Sequence, residues 1–319
     1  LHHCGHFFRK QLLGKRIHTH ESQGGWVHKT GDNWLLLRGP SSEVWFEPWV
    51  SYLQSKGVKF NFNAPLESLN YENGKINSAL IEGEELKADY FILAINPFIA
   101  QKIIEKTPKL LFHPELKKFS SLNQDGPHIQ VSWRMAFKEK IKWKRPRCAL
   151  VLSDTPWNLT MFAQEQAWRE DISLGEEALS LWTGTACIAE VKGSLFNKEL
   201  KYCTKEEFIA EIKHQVSHSQ ALKELIKEAN KGKTLKDFTL IDLEVWHEWE
   251  FSPQGIKGKQ DKWVTTMNTQ PYLPLNKSGV DNLILAGAHC KTAVDVWSIE
   301  GAVESGRRAS RLIDKRVPL

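Results

Sequence analysis

The 319-residue sequence lacks the features that mark membrane-spanning, secreted or disulfide-linked proteins. No apolar run approaches the roughly 20 residues that a helix needs to cross a bilayer, and no secretory signal pattern opens the chain. The cysteines, at positions 4, 148, 187, 203 and 290, have no paired spacing, which favours a reducing compartment over a disulfide framework. We therefore expect an intracellular protein, cytoplasmic or in an organelle, with at most peripheral membrane contact.

An excess of one charge is also missing. The 43 Lys and Arg residues stand against 38 Asp and Glu residues, for a net charge of +5, and the basic residues are scattered among the acids. Proteins that bind nucleic acid gather their positive charge on one face or stripe, so nucleic-acid binding is not expected. The 41% hydrophobic content is enough for one large or two smaller cores.

A histidine-rich beginning raises the question of a metal site. The residues concerned are His2, His3, Cys4, His6, His18, His20 and His28. Their spacing matches none of the usual paired zinc-ligand patterns, and only one cysteine is nearby. We expect surface or core histidines here and no metal.

The most informative stretch is the last, from Asn282 to Ile313. Leu283 to Ala286 form a short apolar run that ends at Gly287, which predicts a buried strand of an α/β sheet. A helix is predicted next, with an inward face spaced by three and four residues: Ile299, Ala302, Val303, Gly306, Ala309 and Ile313. Glu304 and Arg308 lie on its other side as a favourable i,i+4 pair. The N–H groups of Ile299, Glu300 and Gly301 would offer donors to an anion, although a helix that only closes a sheet explains the pattern equally well.

Residues 39–97 predict a helix followed by strands. Residues 39–43 are expected to form a loop, and Pro48 to lie in the first turn of a helix that directs Trp49, Val50 and Leu53 toward a core and stops at Gly57. The remaining predicted elements are a strand over 58–62, two strands over 66–71 and 75–81 joined by an Asn73-Gly74 turn, and a fully buried strand over 90–95.

Residues 98–270 predict a mostly β layer with helices. Strands are expected over 128–137, 149–152, 159–163, 179–187, 238–251 and 263–267. A capping box from Thr204 to Glu207 opens a helix that is expected to run to Ile226 and to break near Gly232. The block is rich in tryptophan, which fills a core more often than it lines a substrate cavity.

The tail resembles the C-terminal flavin-binding signature of the FAD-dependent amine oxidase and carotenoid desaturase superfamily. That signature reads Asn-Leu-hydrophobic-Leu-Ala-Gly-Asp and then Glu-Gly-Ala-Val-x-Ser-Gly-Arg-x-Ala, matched here over 282–287 and 300–309. The run over 39–49, Gly-Pro-Ser-Ser-Glu-Val-Trp-Phe-Glu-Pro-Trp, is close to the phytoene (carotenoid) desaturase and hydroxysqualene dehydroxylase branch. The resemblance implies FAD as cofactor. It also implies an α/β (mixed α+β) fold in which a partial Rossmann-like FAD-binding domain is joined to a substrate domain of β-sheet and helices.

The resemblance further implies a domain layout and a set of cofactor contacts. The FAD-binding domain is expected over 41–97 and 271–319, the substrate domain over 98–270, and residues 1–40 on the substrate-domain side. The implied cofactor-binding residues are Leu66, near the adenine, and Ala94, Gly287, Ala288, Trp297, Ser298, Ile299 and Ala302. Ala288 replaces the acid that helps to hold the ribityl-phosphate region in the family. His289, Lys291 and Asp295 are candidates for the flavin edge or simply parts of a polar loop.

The Gly-x-Gly-x-x-Gly turn that holds the FAD pyrophosphate in this superfamily occurs nowhere in the sequence. Three explanations stay open: the chain, which starts at Leu1, is part of a longer flavoenzyme, it pairs with a second chain that supplies the turn, or it is a flavin-free relative. The resemblance implies an FAD-dependent oxidoreductase that removes a hydride, with no catalytic residue assigned. In monoamine-oxidase-like members an aromatic residue occupies the position of Ser298. Because this chain has a serine there, a bulky or apolar substrate is favoured. The alternative is a flavin-free binding or scaffold protein.

Overall fold

The structure is a computed structural model that describes residues 37–143, 149–175 and 177–314. The histidine-rich beginning lies outside these residues, as does most of the predicted segment 1–40. The described residues divide between a first unit, 60–128 with 261–314, and a second unit, 37–59 with 129–260. No helix among them is both long enough and apolar enough to cross a bilayer.

Helices and strands alternate irregularly along the chain, as expected for a mixed α/β fold. The helices are α1 (Glu47–Ser55), α2 (Pro97–Glu105), α3 (Pro114–Leu122), α4 (Lys205–His218), α5 (Gln220–Ala229) and α6 (Ile299–Ile313). The strands are β1 (Leu66–Glu72), β2 (Lys75–Ile81), β3 (Glu84–Leu86), β4 (Phe91–Leu93), β5 (Val131–Phe137), β6 (Ala149–Leu152), β7 (Leu159–Ala163), β8 (Ser180–Ala186), β9 (Leu240–Val245), β10 (Trp249–Ser252), β11 (Gly255–Gly258) and β12 (Leu283–Leu285).

The first unit contains two small sheets. Strands β1, β2 and β3 form an antiparallel meander, and β4 pairs with β12 in parallel, with Leu93 opposite Leu285. The predicted turn between β1 and β2 is confirmed, because Asn73 and Gly74 have φ angles of 49° and 83°, as a type I′ turn requires. Helices α2 and α3 contribute Ile103 and Phe119 to the core of this unit.

A single asparagine attaches the meander to the parallel pair. The Asn282 side chain, just before β12, accepts a hydrogen bond from the Ile76 N–H at 2.8 Å and donates one to the Ile76 carbonyl at 2.9 Å. Asn282 thus satisfies both backbone polar groups of Ile76 in a buried place, as a strand partner would. The beginning of β12 is therefore fixed to the beginning of β2.

The second unit is built on a five-stranded antiparallel sheet in the order β6-β7-β8-β5-β9. Alternate residues of β5, β7 and β8 are buried, which gives the sheet one core face. Trp133, Trp157 and Trp182 are fully buried in this core, so they fill it, as predicted, and do not line a cavity. Helix α4 begins with the predicted capping box between Thr204 and Glu207.

Several predicted elements are wrong or shorter than expected. The segment 39–43 is not all loop, since a π-helical turn over Ser42–Phe46 leads directly into α1, and the Trp49 side chain on α1 is exposed. Residues 58–62 and 263–267 form no strand. The predicted buried strand over 90–95 is reduced to β4, in which Ile92 is 47% exposed. A strand needs partner strands beside it, and the apolar pattern of a segment does not show whether such partners are present.

Two long predicted elements are each divided. The helix predicted from the capping box ends at His218 and a second one restarts at Gln220, because the Ser219 hydroxyl accepts a hydrogen bond from the Leu222 N–H at 3.2 Å and so caps the new helix. The strand predicted over 238–251 becomes β9 and β10, separated by a turn at Trp246–Trp249.

The two units differ in their boundaries from the predicted domains. The first unit takes in residues 98–128 and 261–270, because α2 and α3 pack on the core that also contains β1, β4 and β12. The segment 41–59, which contains α1, falls in the second unit. The assignment of the units to cofactor and substrate stays a prediction.

Candidate functional site

Two parallel strands end side by side in the first unit. The Ala286 N–H donates a hydrogen bond to the Leu93 carbonyl at 3.1 Å, so the residues that follow β4 and β12, Ala94 and Gly287, leave the sheet at the same edge. Ala94 is exposed, and Gly287 has a φ of 135°, a conformation that strongly favours glycine. The carboxyl ends of parallel strands are where α/β proteins bind their ligands.

Buried polar groups fix the turn after β12 against α6. The hydroxyl of Ser305, which is fully buried, accepts hydrogen bonds from the Gly287 N–H at 3.1 Å and from the Asn276 Nδ2 at 2.9 Å. The same Asn276 amide donates to the Leu285 carbonyl at 2.7 Å. The end of β12, the Gly287 turn and the second turn of α6 therefore form one rigid junction.

The buried face of α6 is not the predicted one. Gly301, Ser305 and Ala309 face the interior, whereas Ile299 is 57% and Val303 51% exposed. Small residues allow close packing: a Cβ added to Gly301 would lie 3.1 Å from the Val296 carbonyl oxygen. Periodicity marks an apolar stripe but does not say which neighbour covers it, so the predicted inward face was wrong at Ile299, Val303 and the exposed Ile313.

The start of α6 is open to solvent. The Ser298 hydroxyl caps the helix by accepting a hydrogen bond from the Gly301 N–H at 3.1 Å. The prediction that the Gly301 N–H would be available to an anion is therefore wrong. Ile299 and Trp297, which is 40% exposed, form the apolar surface around the helix start.

Trp297 is held in place by the segment before β12. Its backbone N–H donates a hydrogen bond to the Thr265 hydroxyl at 3.1 Å. Its ring packs edge to face on the Trp263 ring, with ring centroids 5.5 Å apart. Trp263 is itself buried, and its indole N–H donates to the Leu122 carbonyl at 3.1 Å. This fixes an aromatic wall beside the start of α6, although the segment 263–267 is not the strand that was predicted.

His289, a candidate for the flavin edge, points into the core of the first unit. Its side chain is buried and packs edge to face on Phe119 with ring centroids 5.6 Å apart. Its Nε2 has no hydrogen-bond partner among the described residues. Burial lowers the pKa of His289 to about 4, so the imidazole is neutral at physiological pH.

The adjacent Cys290 is also buried. Burial raises the pKa of its thiol to about 12, which excludes a thiolate nucleophile at neutral pH. Neither residue therefore carries a charge that could tune a nearby redox group.

Of the other two candidates, Asp295 is bonded within the loop, whereas Lys291 is exposed and is bonded to other segments through its backbone. The Asp295 carboxylate accepts a hydrogen bond from the Thr292 N–H at 2.9 Å. The Lys291 carbonyl accepts one from the Arg308 guanidinium at 3.3 Å. The predicted pair of Glu304 and Arg308 is confirmed at 2.6 Å, and Glu304 also accepts the Ala293 N–H at 2.9 Å. That second role of Glu304 had no signal in the sequence.

The structure brings together most of the predicted cofactor-binding residues. Ala94 and Gly287 leave the paired strand ends, the buried Ala288 follows Gly287, and Trp297, Ser298, Ile299 and Ala302 surround the start of α6. Leu66 lies elsewhere, at the beginning of β1 opposite Ile81, and packs against the core of the first unit. Its predicted adenine contact stays a prediction.

A helix that begins after a glycine turn at the carboxyl ends of parallel strands defines an α/β protein of the cofactor-binding kind. The family is given by comparison with known sequences. Residues 28–314 match the family of flavin-containing amine oxidoreductases, and the chain belongs to that family. The predicted superfamily is thereby confirmed, and it is a flavin-containing family, as predicted, whereas the carotenoid desaturase branch stays a prediction.

Solved structures resemble the chain over part of their length. An oxidoreductase from Methanosarcina mazei is 14% identical over 83% of this chain and 53% of its own, with a TM-score of 0.47. Cyclohexylamine oxidase from Brevibacterium oxydans IH-35A is 13% identical over 84% of this chain and 52% of its own, with a TM-score of 0.45. The chain thus spans about half the length of these structures. No curated protein sequence matches it.

The residues at the start of α6 fit one end of a flavin. Gly287, Ala288 and Ala302 are small, and the exposed Trp297 and Ile299 offer apolar surface to a flat ring. The carboxylate expected after Gly287 is absent, because Ala288 takes its place. The described residues are thus compatible with the ring end of a flavin, and their contact with it stays a prediction.

Proposed function

We propose that this chain is the later part of an FAD-dependent oxidoreductase and that the start of α6 contacts the isoalloxazine ring. The open start of α6, a helix whose second turn is bonded to the turn after β12, is the observation that carries this proposal. A bound flavin supplies the acceptor for a hydride from the substrate. The residues of this chain orient the ring and keep water from one side of it.

Each part of the site has a separate task in this proposal. The positive end of the α6 dipole favours the negative charge that a flavin gains on reduction. The fixed Trp297 ring supplies a wall, and the junction of Ser305, Asn276 and Gly287 holds the turn at a constant distance from the helix. Buried neutral His289 stays outside proton transfer.

We further propose that the phosphate end of the cofactor is bound by residues outside this sequence. Because the sequence has no Gly-x-Gly-x-x-Gly turn, either an upstream segment or a second chain would supply it. The half-exposed Ile92 on the short parallel pair supports this, since strands of parallel sheets are normally covered on both faces.

The substrate that we propose is a small molecule with a bulky or apolar structure. Ser298, which occupies the position of a cage aromatic in monoamine-oxidase-like members, is used as a helix cap. The run over 39–49 supports a place near the carotenoid desaturase and hydroxysqualene dehydroxylase branch. A reducing compartment is supported by Cys203 and Cys290, two buried cysteines that form no disulfide.

The second candidate function is a flavin-free binding or scaffold protein. Ala288, in place of the family acid, and the missing glycine turn favour it. Visible absorption and an FAD titration of the protein, purified together with any upstream segment or natural partner, separate the two candidates. We expect flavin absorption or saturable FAD binding. A colourless sample that does not respond to FAD would refute the oxidoreductase and leave the scaffold.

The flavin reduction potentials of two matched variants, measured by redox titration, locate the isoalloxazine ring. Ile299→Glu places a negative charge at the helix start, and Val303→Glu places the same charge one turn later on an equally exposed site. We expect Ile299→Glu to lower the flavin reduction potential more than Val303→Glu does, because repulsion of the reduced ring falls with distance. Equal potentials in the two variants would place the ring elsewhere.

A further inference from the structure

A pair of histidines lies at the end of α4 in the second unit, outside the flavin site. His214 and His218 are four residues apart, so they share one face of the helix. Their rings are stacked with centroids 4.0 Å apart and planes inclined by 25°. His214 is half-buried and His218 exposed, so the pair is accessible from solvent.

The hydrogen bonds of His218 fix which of its nitrogens is free to bind. Its Nδ1 lies 2.8 Å from the His214 carbonyl oxygen. A carbonyl oxygen only accepts hydrogen bonds, so Nδ1 carries the hydrogen and the lone pair of the neutral ring lies on Nε2. Histidine ligands of metals are commonly oriented in this way, by a hydrogen bond from the other ring nitrogen to a backbone carbonyl.

The surrounding charges favour a cation. His218 is the last residue of α4, where the helix dipole is negative. The residues that follow His218 bind the carboxylate of Asp154. This carboxylate accepts hydrogen bonds from the Ser219 hydroxyl at 2.9 Å and the Gln220 N–H at 2.7 Å. Hydrogen bonds from Ser219, Gln220 and Ala221 outweigh burial and lower the pKa of Asp154, so this charge is present at neutral pH.

The lone pairs of two stacked rings are nearly parallel and do not meet at one ion. We propose that the His214 ring turns out of the stack and that His214 and His218 then form a surface site for a divalent cation that prefers imidazole, such as Zn²⁺. Imidazole suits zinc, copper and nickel, and two histidines one helical turn apart are a recurring zinc-binding pair. Within the described ranges no group of three or more His, Cys, Asp or Glu residues could hold a metal, so water completes the coordination. The site binds zinc reversibly, in contrast to a closed structural site with four protein ligands.

Hydrogen exchange of the α4 backbone, followed by mass spectrometry with and without ZnCl2, tests the site. The α4 peptide reports locally, so zinc held by the histidines at 2–28 does not affect the readout. Zinc that binds both rings stabilises the folded helix, and we expect about tenfold slower exchange at the end of α4 when zinc is about ten times its Kd. MgCl2, which prefers oxygen ligands, should leave exchange unchanged.

Matched variants distinguish zinc binding by the pair of His214 and His218 from zinc binding by any exposed histidine. His218→Gln and His214→Gln should each abolish the zinc effect, whereas His247→Gln, at an exposed histidine outside α4, should keep it. The double variant Lys213→His/His214→Gln keeps two imidazoles on α4 but five residues apart, on different faces, and should also lose it. Exchange without zinc shows whether each variant retains α4. Zinc protection that persists in His218→Gln, or is absent from the wild type, would overturn the proposal.

Discussion

At the residue scale, a few buried polar side chains fix the geometry around the proposed flavin site. Asn276, Asn282 and Ser305 each connect segments that are far apart in sequence, and each is almost fully buried. A buried polar group that loses its partner costs more free energy than an exposed one, because it cannot turn to water. The motif from Asn282 to Gly287 is therefore constrained by buried hydrogen bonds as well as by the packing of its apolar residues.

Replacing Asn282 by alanine tests this. The Asn282→Ala variant leaves the N–H and carbonyl of Ile76 without their partner, and we expect the free energy of unfolding to fall by about 1–3 kcal/mol. Asn77→Ala is the matched control, since Asn77 is exposed on β2, next to Ile76, and its side chain donates a hydrogen bond to exposed Glu72. Urea denaturation measures both. Equal losses in the two variants would show that the buried pairing has no special role.

His289 makes stability depend on pH. Its pKa is about 4 in the folded protein against about 6.5 when exposed, so between these values the unfolded chain binds a proton that the folded one does not. Stability contributed by the neutral ring is present above pH 6.5 and is lost as the pH falls toward 4. The difference between the two pKa values corresponds to a loss of about 3 kcal/mol in the free energy of unfolding.

We expect the His289→Leu variant to lose less stability than wild type between pH 6.5 and pH 4, as measured by urea unfolding at a series of pH values. His247→Leu, at an exposed histidine, should behave like wild type. A wild type whose unfolding free energy does not change over this range would contradict the burial of a neutral imidazole.

At the element scale, α6 packs through small residues and exposes larger ones. Gly306 lies in the middle of the helix, and no atom outside it lies within 4 Å of a Cβ added there. The Gly306→Ala variant should therefore stabilise the chain by up to about 1 kcal/mol, the usual difference between glycine and alanine in a helix.

Gly301→Ala in the same helix is the control for this prediction. Its added Cβ would lie 3.1 Å from the Val296 carbonyl oxygen, so we expect a smaller gain or a loss. Thermal unfolding of the two variants gives the comparison. A destabilised Gly306→Ala protein would show that another part of the molecule packs on that face.

Elements with complete local signals were predictable from the sequence. The turn at Asn73 and Gly74, the capping box of α4, and strands β6 and β7 were each expected where they occur, because their residues specify local geometry. The buried face of α6 and the extent of β4 were not predictable, since both depend on which distant segments pack against them. The same is true of buried His289, which lies in the loop after β12 and has no periodicity to mark it.

At the scale of the whole molecule, the chain belongs to a flavoenzyme family but covers about half the length of the structures that it resembles. Its first unit contains the paired strand ends and the open start of α6, and its second unit contains the tryptophan-filled core and the histidine pair. The paired strand ends and the open start of α6, both in the first unit, support the proposal that this chain holds the ring end of FAD.

Hydrogen exchange over residues 296–305, with and without FAD, tests this central claim most directly. The protein is prepared with any upstream segment or natural partner, and a peptide from β6 and β7 serves as an internal reference. We predict that FAD slows exchange at the start of α6 and leaves the reference unchanged. Saturable FAD binding without slower exchange at 297–302 would contradict the account.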